Sequence, residues 1–119
     1  MQYLTSPNKP TRAKSFYGDV HTTTDTVVYT CPPNCTAELT FLHVTNASTS
    51  NTATIRIYVA ALAYTSQFLT AKTLSNGEYV TYVPMQIFLS AGDQIKLQTT
   101  NAGHVDLIGS VIETFIPVG

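Results

Sequence analysis

The strongest candidates for a chemical role in this chain are its two cysteines, Cys31 and Cys35, in the run YTCPPNCTAE. Cysteines at this spacing could bind a metal, carry out redox chemistry or form a disulfide. A structural zinc site needs four ligands, usually in two closely spaced pairs. This chain offers one Cys-x3-Cys pair and three histidines, at positions 21, 43 and 104, that are not paired in the sequence. Thioredoxin-type redox chemistry requires Cys-x-x-Cys at a helix N-terminus, but this spacing is longer and no helical pattern follows. The run therefore does not predict a metal or redox centre.

The residues between the cysteines are typical of a turn. Proline fixes φ and asparagine tolerates a left-handed conformation, so Pro32-Pro33-Asn34 is expected to reverse the chain between two strands. Two interpretations of the flanking cysteines remain open. They are free thiols in a reducing cytoplasm, or they form a Cys31–Cys35 disulfide after a particle leaves the cell. Because such a bridge would close a very small loop, it would mainly make the turn rigid.

The acidic residues and histidines form no recognisable catalytic group. No two of the seven carboxylates make a hydrolytic pair, and Glu113, in the last predicted strand, is expected to be solvated or to lie at an interface. His43 stands in an apolar strand pattern and is expected to be a hydrogen-bonded strand residue rather than a base. The chain has no nucleophile elbow, phosphate loop or dinucleotide-binding fingerprint. It is therefore predicted to be non-enzymatic, with no catalytic residue, no cofactor and no metal.

Composition restricts the partners that the chain can have. The 119 residues suit one domain with a single core. A net charge of −1 and only 11% charged residues predict neither a nucleic-acid partner nor an anionic membrane partner. The N-terminal residues lack the apolar region of a secretory signal, so the chain is expected to be made in the cytoplasm. The low charge favours either a surface committed to protein partners or a polar Thr/Ser/Asn surface, and both remain open.

Strand patterns dominate the chain after its first residues. Residues 1–14 contain two prolines and three of the six basic side chains, which is typical of an extended arm. The segment NTATIRIYVAAL, residues 51–62, alternates apolar and polar residues with period two and predicts a strand. In TAELTFLHVTN, residues 36–46, the alternation changes phase after Phe41, which predicts a bulge or a strand buried on both faces.

Turn signals separate these strands at short intervals. Asn76-Gly77 is the strongest hairpin signal, further turns are expected at residues 91–93 and 101–103, and Gly109 predicts a bulge or a close approach in the last strand. Residues 15–119 are therefore predicted to form one all-β domain, an antiparallel β-sandwich of jelly-roll or immunoglobulin-like type with about eight strands. A true immunoglobulin domain is disfavoured, since the chain has no tryptophan and its cysteines are too close to join two sheets.

Basic residues of the arm and tyrosines of the strands are the candidate contacts with partners. Tyrosines can stack on sugars or fill protein interfaces, although ordinary cross-strand pairing explains them equally well. The candidate contact residues are Lys9, Arg12, Lys14, Tyr58 and Tyr82.

The order of motifs resembles a family of small structural proteins of tailed bacteriophages, common in cyanophage-like myoviruses and podoviruses. That family pattern has a YT-P strand, a strand ending in V-N, a β-branched strand, an L-AGD-I turn and a closing V-SV-E strand. The resemblance covers roughly residues 15–115. The matching residues are Tyr29, Thr30, Pro32, Val44, Asn46, Leu89, Ala91, Gly92, Asp93, Ile95, Val111 and Glu113.

The resemblance implies a virion structural protein, a β-sandwich used in many copies on a head, neck, tail or fibre. Its implied partners are copies of itself and other virion proteins, with no catalytic residue to carry over. Cys35 is less typical of the family pattern than Cys31, so a disulfide is not an implied family feature. The alternative hypothesis is a carbohydrate-binding sandwich module, with a glycan as partner, that uses exposed tyrosines on a phage fibre.

Overall fold

The computed structural model describes residues 10–20, 23–47, 51–82, 87–99 and 104–116, and within them all side chains except those of residues 51–56, 61, 64–73 and 82. The described residues form nine strands and one 3-10 turn, at Ala60–Leu62. The strands are β1 (Thr11–Val20), β2 (Thr26–Thr30), β3 (Cys35–Asn46), β4 (Asn51–Val59), β5 (Tyr64–Leu74), β6 (Tyr79–Tyr82), β7 (Ile87–Leu89), β8 (Gln94–Thr99) and β9 (Val105–Phe115).

Two antiparallel sheets pack face to face. Sheet A has five strands in the order β1-β9-β3-β6, with β7 also paired to β3, and sheet B has four strands in the order β2-β8-β4-β5. Since β6 and β7 lie along the same edge of β3, they occupy one strand position, and the two sheets together have eight positions. Apart from the β4–β5 hairpin and the β6–β7 step, each strand is followed by one in the other sheet. This is the double Greek key of a jelly roll, which confirms the predicted all-β sandwich and excludes immunoglobulin topology.

The core fills the space between the sheets, and strand alternation explains which residues reach it. In β3 the buried side chains include Ala37, Leu39, Leu42 and Val44, so the inward phase changes between Leu39 and Leu42. The pairing with β9 shifts at the same place, between Ser110 and Val111. The predicted change of phase is therefore a β-bulge, which keeps apolar residues on the inner face on both sides of the irregularity.

Gly109 is a point of close approach rather than the site of the bulge. A Cβ atom at this position would lie 2.5 Å from Cζ of Phe16, because the Phe16 ring from β1 covers the glycine. The ring centroid of Phe16 also lies 5.1 Å from that of Tyr29 in sheet B. The missing side chain thus lets an aromatic pair from both sheets fill this part of the core.

The turn predicted at residues 91–93 is present and is tightly hydrogen-bonded. Gly92 has a φ of +89°, and Asp93 is 5% exposed. The Asp93 carboxylate accepts hydrogen bonds from the backbone N–H groups of Ser90 and Ala60, each over 2.9 Å. Asp93 therefore joins the turn before β8 to the 3-10 turn after β4. The turn predicted at residues 101–103 lies outside the described residues.

The prediction of a hairpin at Asn76-Gly77 is wrong. The two residues do form a turn, in which Gly77 has a φ of +82° and the N–H of Glu78 donates to the carbonyl of Ser75 over 2.9 Å. The flanking strands nevertheless separate, because β5 pairs with β4 in sheet B and β6 pairs with β3 in sheet A. The pairing of β5 and β6 with other strands outweighs the local hairpin signal, and the turn connects sheet B to sheet A.

The first strand begins earlier than the sequence suggested. Residues 11–14, which were assigned to the arm, pair with residues 111–114 of β9. Their polarity favoured an arm over a strand, but β1 is an edge strand and its first five side chains are exposed. The division into an arm and a sandwich domain otherwise stays a prediction, because residues 1–9, including Lys9, lie outside the described residues.

Candidate functional site

The two cysteines lie at the ends of the predicted turn between β2 and β3. Asn34 adopts the left-handed conformation expected of it, with a φ of +62°. Backbone hydrogen bonds join the turn to the turn before β8, since the N–H of Cys31 donates to the carbonyl of Asp93 over 2.9 Å and the N–H of Gly92 donates to the carbonyl of Cys31 over 2.9 Å. Both thiols are free and buried. The turn is therefore a structural junction between the sheets.

The environment of Cys31 does not favour reactivity. Its Sγ lies 3.5 Å from the carbonyl oxygen of Cys35 and 3.9 Å from that of Leu89, so the thiol can donate a weak hydrogen bond. Burial, together with the nearby Cys35, raises the pKa of Cys31 to about 11. A thiol that stays protonated at neutral pH is a poor nucleophile and a poor metal ligand. Whether the cysteines are bonded to each other in a mature particle stays a prediction.

A partly buried ionic cluster lies next to this turn, and it corrects the expectation for Glu113. The Glu113 side chain is 0% exposed. Its Oε1 accepts from Nη2 and Nε of Arg12 over 2.6 and 3.0 Å, and its Oε2 accepts from the hydroxyl of Tyr29 over 2.6 Å. The carboxylate is inward because β9 alternates strictly, which puts Glu113 on the same face as Leu107 and Val111. The expectation of a solvated or interface carboxylate was wrong, because strand phase outweighs charge when partners are present.

The partners keep Glu113 ionised. Burial on its own would raise the pKa of this carboxyl, but the hydrogen bonds from Tyr29 and Arg12 and the nearby charges of Lys14 and Arg12 lower it below its ordinary value. Burial and the hydrogen bond to Glu113 raise the pKa of Tyr29. Arg12 bonds Glu113 within the chain, and its guanidinium also lies 5.2 Å from the ring centroid of Phe115. Its role as a partner contact stays a prediction. The cluster ties β1 and β2 to β9 and leaves the carboxylate no role as a general base.

The outer face of sheet A exposes several large apolar side chains among the described residues. It consists of the outward side chains of β1, β9, β3, β6 and β7. Several of them are large, apolar and exposed, although they belong to regular strands. Their exposed fractions are 79% for Tyr17, 71% for Phe88, 65% for Tyr79, 48% for Ile108 and 40% for Ile112. Exposed apolar side chains that share one face of a sheet can mark an interaction surface.

His43 lies in the middle of this face and confirms the sequence interpretation. One ring nitrogen, Nδ1, lies 2.6 Å from the hydroxyl of Thr81, and Nε2 lies 3.0 Å from the hydroxyl of Thr45. The Tyr79 ring packs beside it with centroids 5.2 Å apart. Both nitrogens have partners, so His43 is a hydrogen-bonded strand residue.

One end of the same face carries a cluster that sequence reasoning missed. Nε2 of His104 lies 2.9 Å from Oδ1 of Asp19 and 3.0 Å from Oδ1 of Asp106. Asp19 and Asp106 are far apart in the sequence and become neighbours only because they pair in the β1–β9 register. Within the described parts of the chain, this is the one group of three side chains whose ligand atoms converge, all within 4.8 Å of one another. These three side chains form a hydrogen-bonded group at the surface.

A cavity of about 450 Å³ opens beside this cluster. Its lining includes Tyr17, Ile108 and His43, together with Asp19 and Asp106. The cavity is part of the outer face of sheet A. It has the mixture of aromatic surface and a few polar groups that small-ligand sites use.

The remaining candidate contacts lie apart from this face. The half-buried ring of Tyr58 lies on the outer face of sheet B, with Nζ of Lys96 4.8 Å from its centroid. Lys14 is exposed on β1. The side chain of Tyr82 lies outside the described ones, so its role as a contact stays a prediction.

No helix in the described residues is long and apolar enough to cross a bilayer.

No protein-family model and no curated protein matches this chain. Solved structures share its fold. A chain of the disulfide-linked pili of Bacillus endospore appendages has a TM-score of 0.60 at 11% identity, over 98% of both chains. A chain from the capsid of the Helicobacter pylori bacteriophage KHP30 has a TM-score of 0.57 at 11% identity, over 94% of this chain and 97% of that one. A chain of the Gx strain of infectious bursal disease virus has a TM-score of 0.53 at 14% identity, over 92% of this chain and 33% of that one. At these identities the likeness is one of fold.

Proposed function

We propose that this chain is a non-enzymatic structural protein of a tailed-bacteriophage virion that acts by assembly in many copies. It would decorate the capsid or belong to the neck, the tail or a fibre. The observation that carries the proposal is the outer face of sheet A, where Tyr17, Phe88, Tyr79, Ile108 and Ile112 are exposed on regular strands. A jelly-roll sheet that presents such a face to solvent gains stability when a neighbouring subunit covers it.

The polar groups of the described residues support assembly rather than catalysis. Glu113 is fully bonded to Arg12 and Tyr29, and both nitrogens of His43 are bonded to threonines. The thiol of Cys31 is held protonated by burial. None of these groups combines a perturbed pKa with access to a substrate, which is the usual sign of a catalytic residue. The shared fold of the KHP30 capsid chain adds support, because that chain covers nearly the same length.

Localisation on particles is the direct test of this proposal. Phage particles purified by density gradient should contain the chain in a fixed ratio to the major capsid protein, as measured by quantitative mass spectrometry. Antibody-gold labelling should then mark one position on the particle. A chain that is absent from purified particles and also strictly monomeric by size-exclusion chromatography with light scattering would refute the proposal.

A second candidate function is carbohydrate binding, and one observation favours it. The exposed Tyr17 lines the cavity of about 450 Å³, together with Asp19 and Asp106. An aromatic face beside hydrogen-bond acceptors can bind a sugar ring. Calorimetric titration with host polysaccharide tests this candidate, with Tyr17→Ala as the probe and Tyr58→Ala, on the other sheet, as the control. Binding that Tyr17→Ala alone abolishes would favour the candidate, and an absence of heat with the unaltered chain would refute it.

A further inference from the structure

The charges of the strands are segregated by sheet. On the outer face of sheet A, the charged residues at described positions are Asp19, Glu38 and Asp106, and no lysine or arginine is among them. The basic residues of β1, Arg12 and Lys14, alternate with its outward residues and belong to the inward side of the strand. Their register partners in β9, Glu113 and Val111, are both buried. The outer face of sheet A is therefore acidic as well as apolar.

Sheet B has the opposite character. The strand sequences of β2, β4, β5 and β8 contain no Asp or Glu. Lys96 is half-buried on the outer face between Gln94 and Gln98, and its buried neighbours Ile95 and Leu97 face the core. The register partner of Lys96 in β4 is Arg56, so two basic positions meet at the centre of this sheet. Among the described side chains of its outer face the charged one is thus Lys96, and the strand sequences of sheet B contribute basic residues but no acidic ones.

We infer that the outer face of sheet A binds the outer face of sheet B of a second copy of this chain, so that copies stack head to tail. The inference rests on the proposed role in multi-copy assembly and specifies the contact. A symmetric contact of sheet A with sheet A would bring the three carboxylates of each copy together, and like charges across an interface are unfavourable. A contact of A with B brings this acidic face against the face that carries Lys96 at its centre, and aromatic side chains such as Tyr17 and Phe88 cover the apolar area.

The size of the face is compatible with such a contact. Four strand positions about 4.8 Å apart and about ten residues long, at about 3.3 Å per residue, give a flat area of about 600 Å². A standard interface buries about 800 Å² on each partner, and protruding side chains raise the accessible area of a sheet above its flat area. Because the two faces differ, the contact is heterologous, and repetition gives a ring or an open stack rather than a closed dimer.

Reciprocal charge reversal tests the inference. Glu38→Lys makes the face of sheet A more basic, and Lys96→Glu makes the face of sheet B acidic, so each variant opposes like charges and should self-associate at least about tenfold more weakly than the unaltered chain. An equimolar mixture of the two variants should associate again, because each altered face then meets its complement. The measurement is sedimentation velocity at low and high salt, with circular dichroism to establish that each variant is folded.

Controls separate this inference from the proposed function. Glu78→Lys makes the same charge change in the turn between β5 and β6, outside the strands of both sheets, and should leave association unchanged. Association that neither reversal weakens, or that the mixture does not restore, would overturn the stacking inference. An unaltered chain that stays monomeric at low salt would overturn it as well. In each case the content of purified particles still decides separately whether the chain is a virion component.

Discussion

Replacing Tyr29 by phenylalanine removes one hydroxyl from the core, and with it the hydrogen bond of 2.6 Å to Oε2 of Glu113. The ring of Tyr29 is 5% exposed and Glu113 is 0% exposed, so water cannot take the place of the lost donor without opening the core. A hydrogen bond to a charged group contributes about 1.5–3 kcal/mol. We therefore expect Tyr29→Phe to lower the free energy of unfolding by about that amount, which corresponds to a fall in melting temperature of roughly 5–12 °C for a domain of this size.

The loss of stability in Tyr29→Phe should depend on pH, because the pKa of Glu113 differs between the folded and the unfolded chain. The pKa of Glu113 is lowered in the folded chain, so its stabilisation is present above the pKa of the unfolded chain and is lost as the pH falls through the folded value. Without the Tyr29 hydroxyl, burial still raises the pKa of Glu113 while one opposing cause is gone. The folded pKa of Glu113 should therefore lie closer to its unfolded value in the variant, so the variant should lose less stability than the unaltered chain as the pH falls, and the difference between them should shrink in strong acid.

Urea denaturation followed by circular dichroism, at several pH values between neutral and strongly acidic, measures both effects. Tyr79→Phe is the matched control, because Tyr79 is 65% exposed and a change at an exposed position should cost less than about 0.5 kcal/mol. Each titration is repeated at two protein concentrations, since self-association would otherwise add to the apparent stability. Equal stabilities of Tyr29→Phe and the unaltered chain at neutral pH, or a difference that does not change in acid, would refute this account of the cluster.

Three further predictions concern the core and the turns. Gly109→Ala should destabilise the fold by about 1–3 kcal/mol in urea denaturation, because the new Cβ would overlap the ring of Phe16; an unchanged midpoint would contradict the close approach. Asp93→Ala should cost about 2–4 kcal/mol by the same measurement, because two backbone N–H donors lose their acceptor; a cost below 0.5 kcal/mol on the same scale would contradict that role. Neither Cys31 nor Cys35 should react with a thiol reagent at about pH 8 in the folded chain, since both are buried and the pKa of Cys31 is raised to about 11. Both should react in denaturant, and rapid labelling of the folded chain would count against their burial.

Much of the fold follows from local pattern in the sequence. The strand predicted at residues 51–62 is present as β4, although it ends at Val59 and a 3-10 turn follows at Ala60–Leu62. The change of phase in residues 36–46 arises from which side chains face the core, since a strand has only two faces. The left-handed residue in the turn between the cysteines was likewise expected, because Asn34 tolerates that conformation. These features depend on neighbours in the sequence, and a single chain is enough to predict them.

The predictions that the structure contradicts concern residues whose partners are distant in the sequence. The signal at Asn76-Gly77 specifies a turn, but the partners of β5 and β6 are β4 and β3, and no local pattern reveals those pairings. Glu113 is buried because Arg12, 101 residues away, and Tyr29, 84 residues away, reach it. The group of His104 with Asp19 and Asp106 also exists only through the β1–β9 register. Buried ionic groups depend on distant partners, so charge alone is a poor guide to exposure in this chain.

The pairing of β1 with β9 has a mechanical consequence. The strands run antiparallel, and the N–H of Phe115 donates to the carbonyl of Pro10 over 3.0 Å, so residues 10 and 116 lie at the same end of the sandwich. A force that pulls these two points apart would unzip the ladder one rung at a time, instead of shearing all its rungs together. Such geometries yield at low force, and the ion pair of Arg12 with Glu113, near the first rung, would be the main resistance to opening.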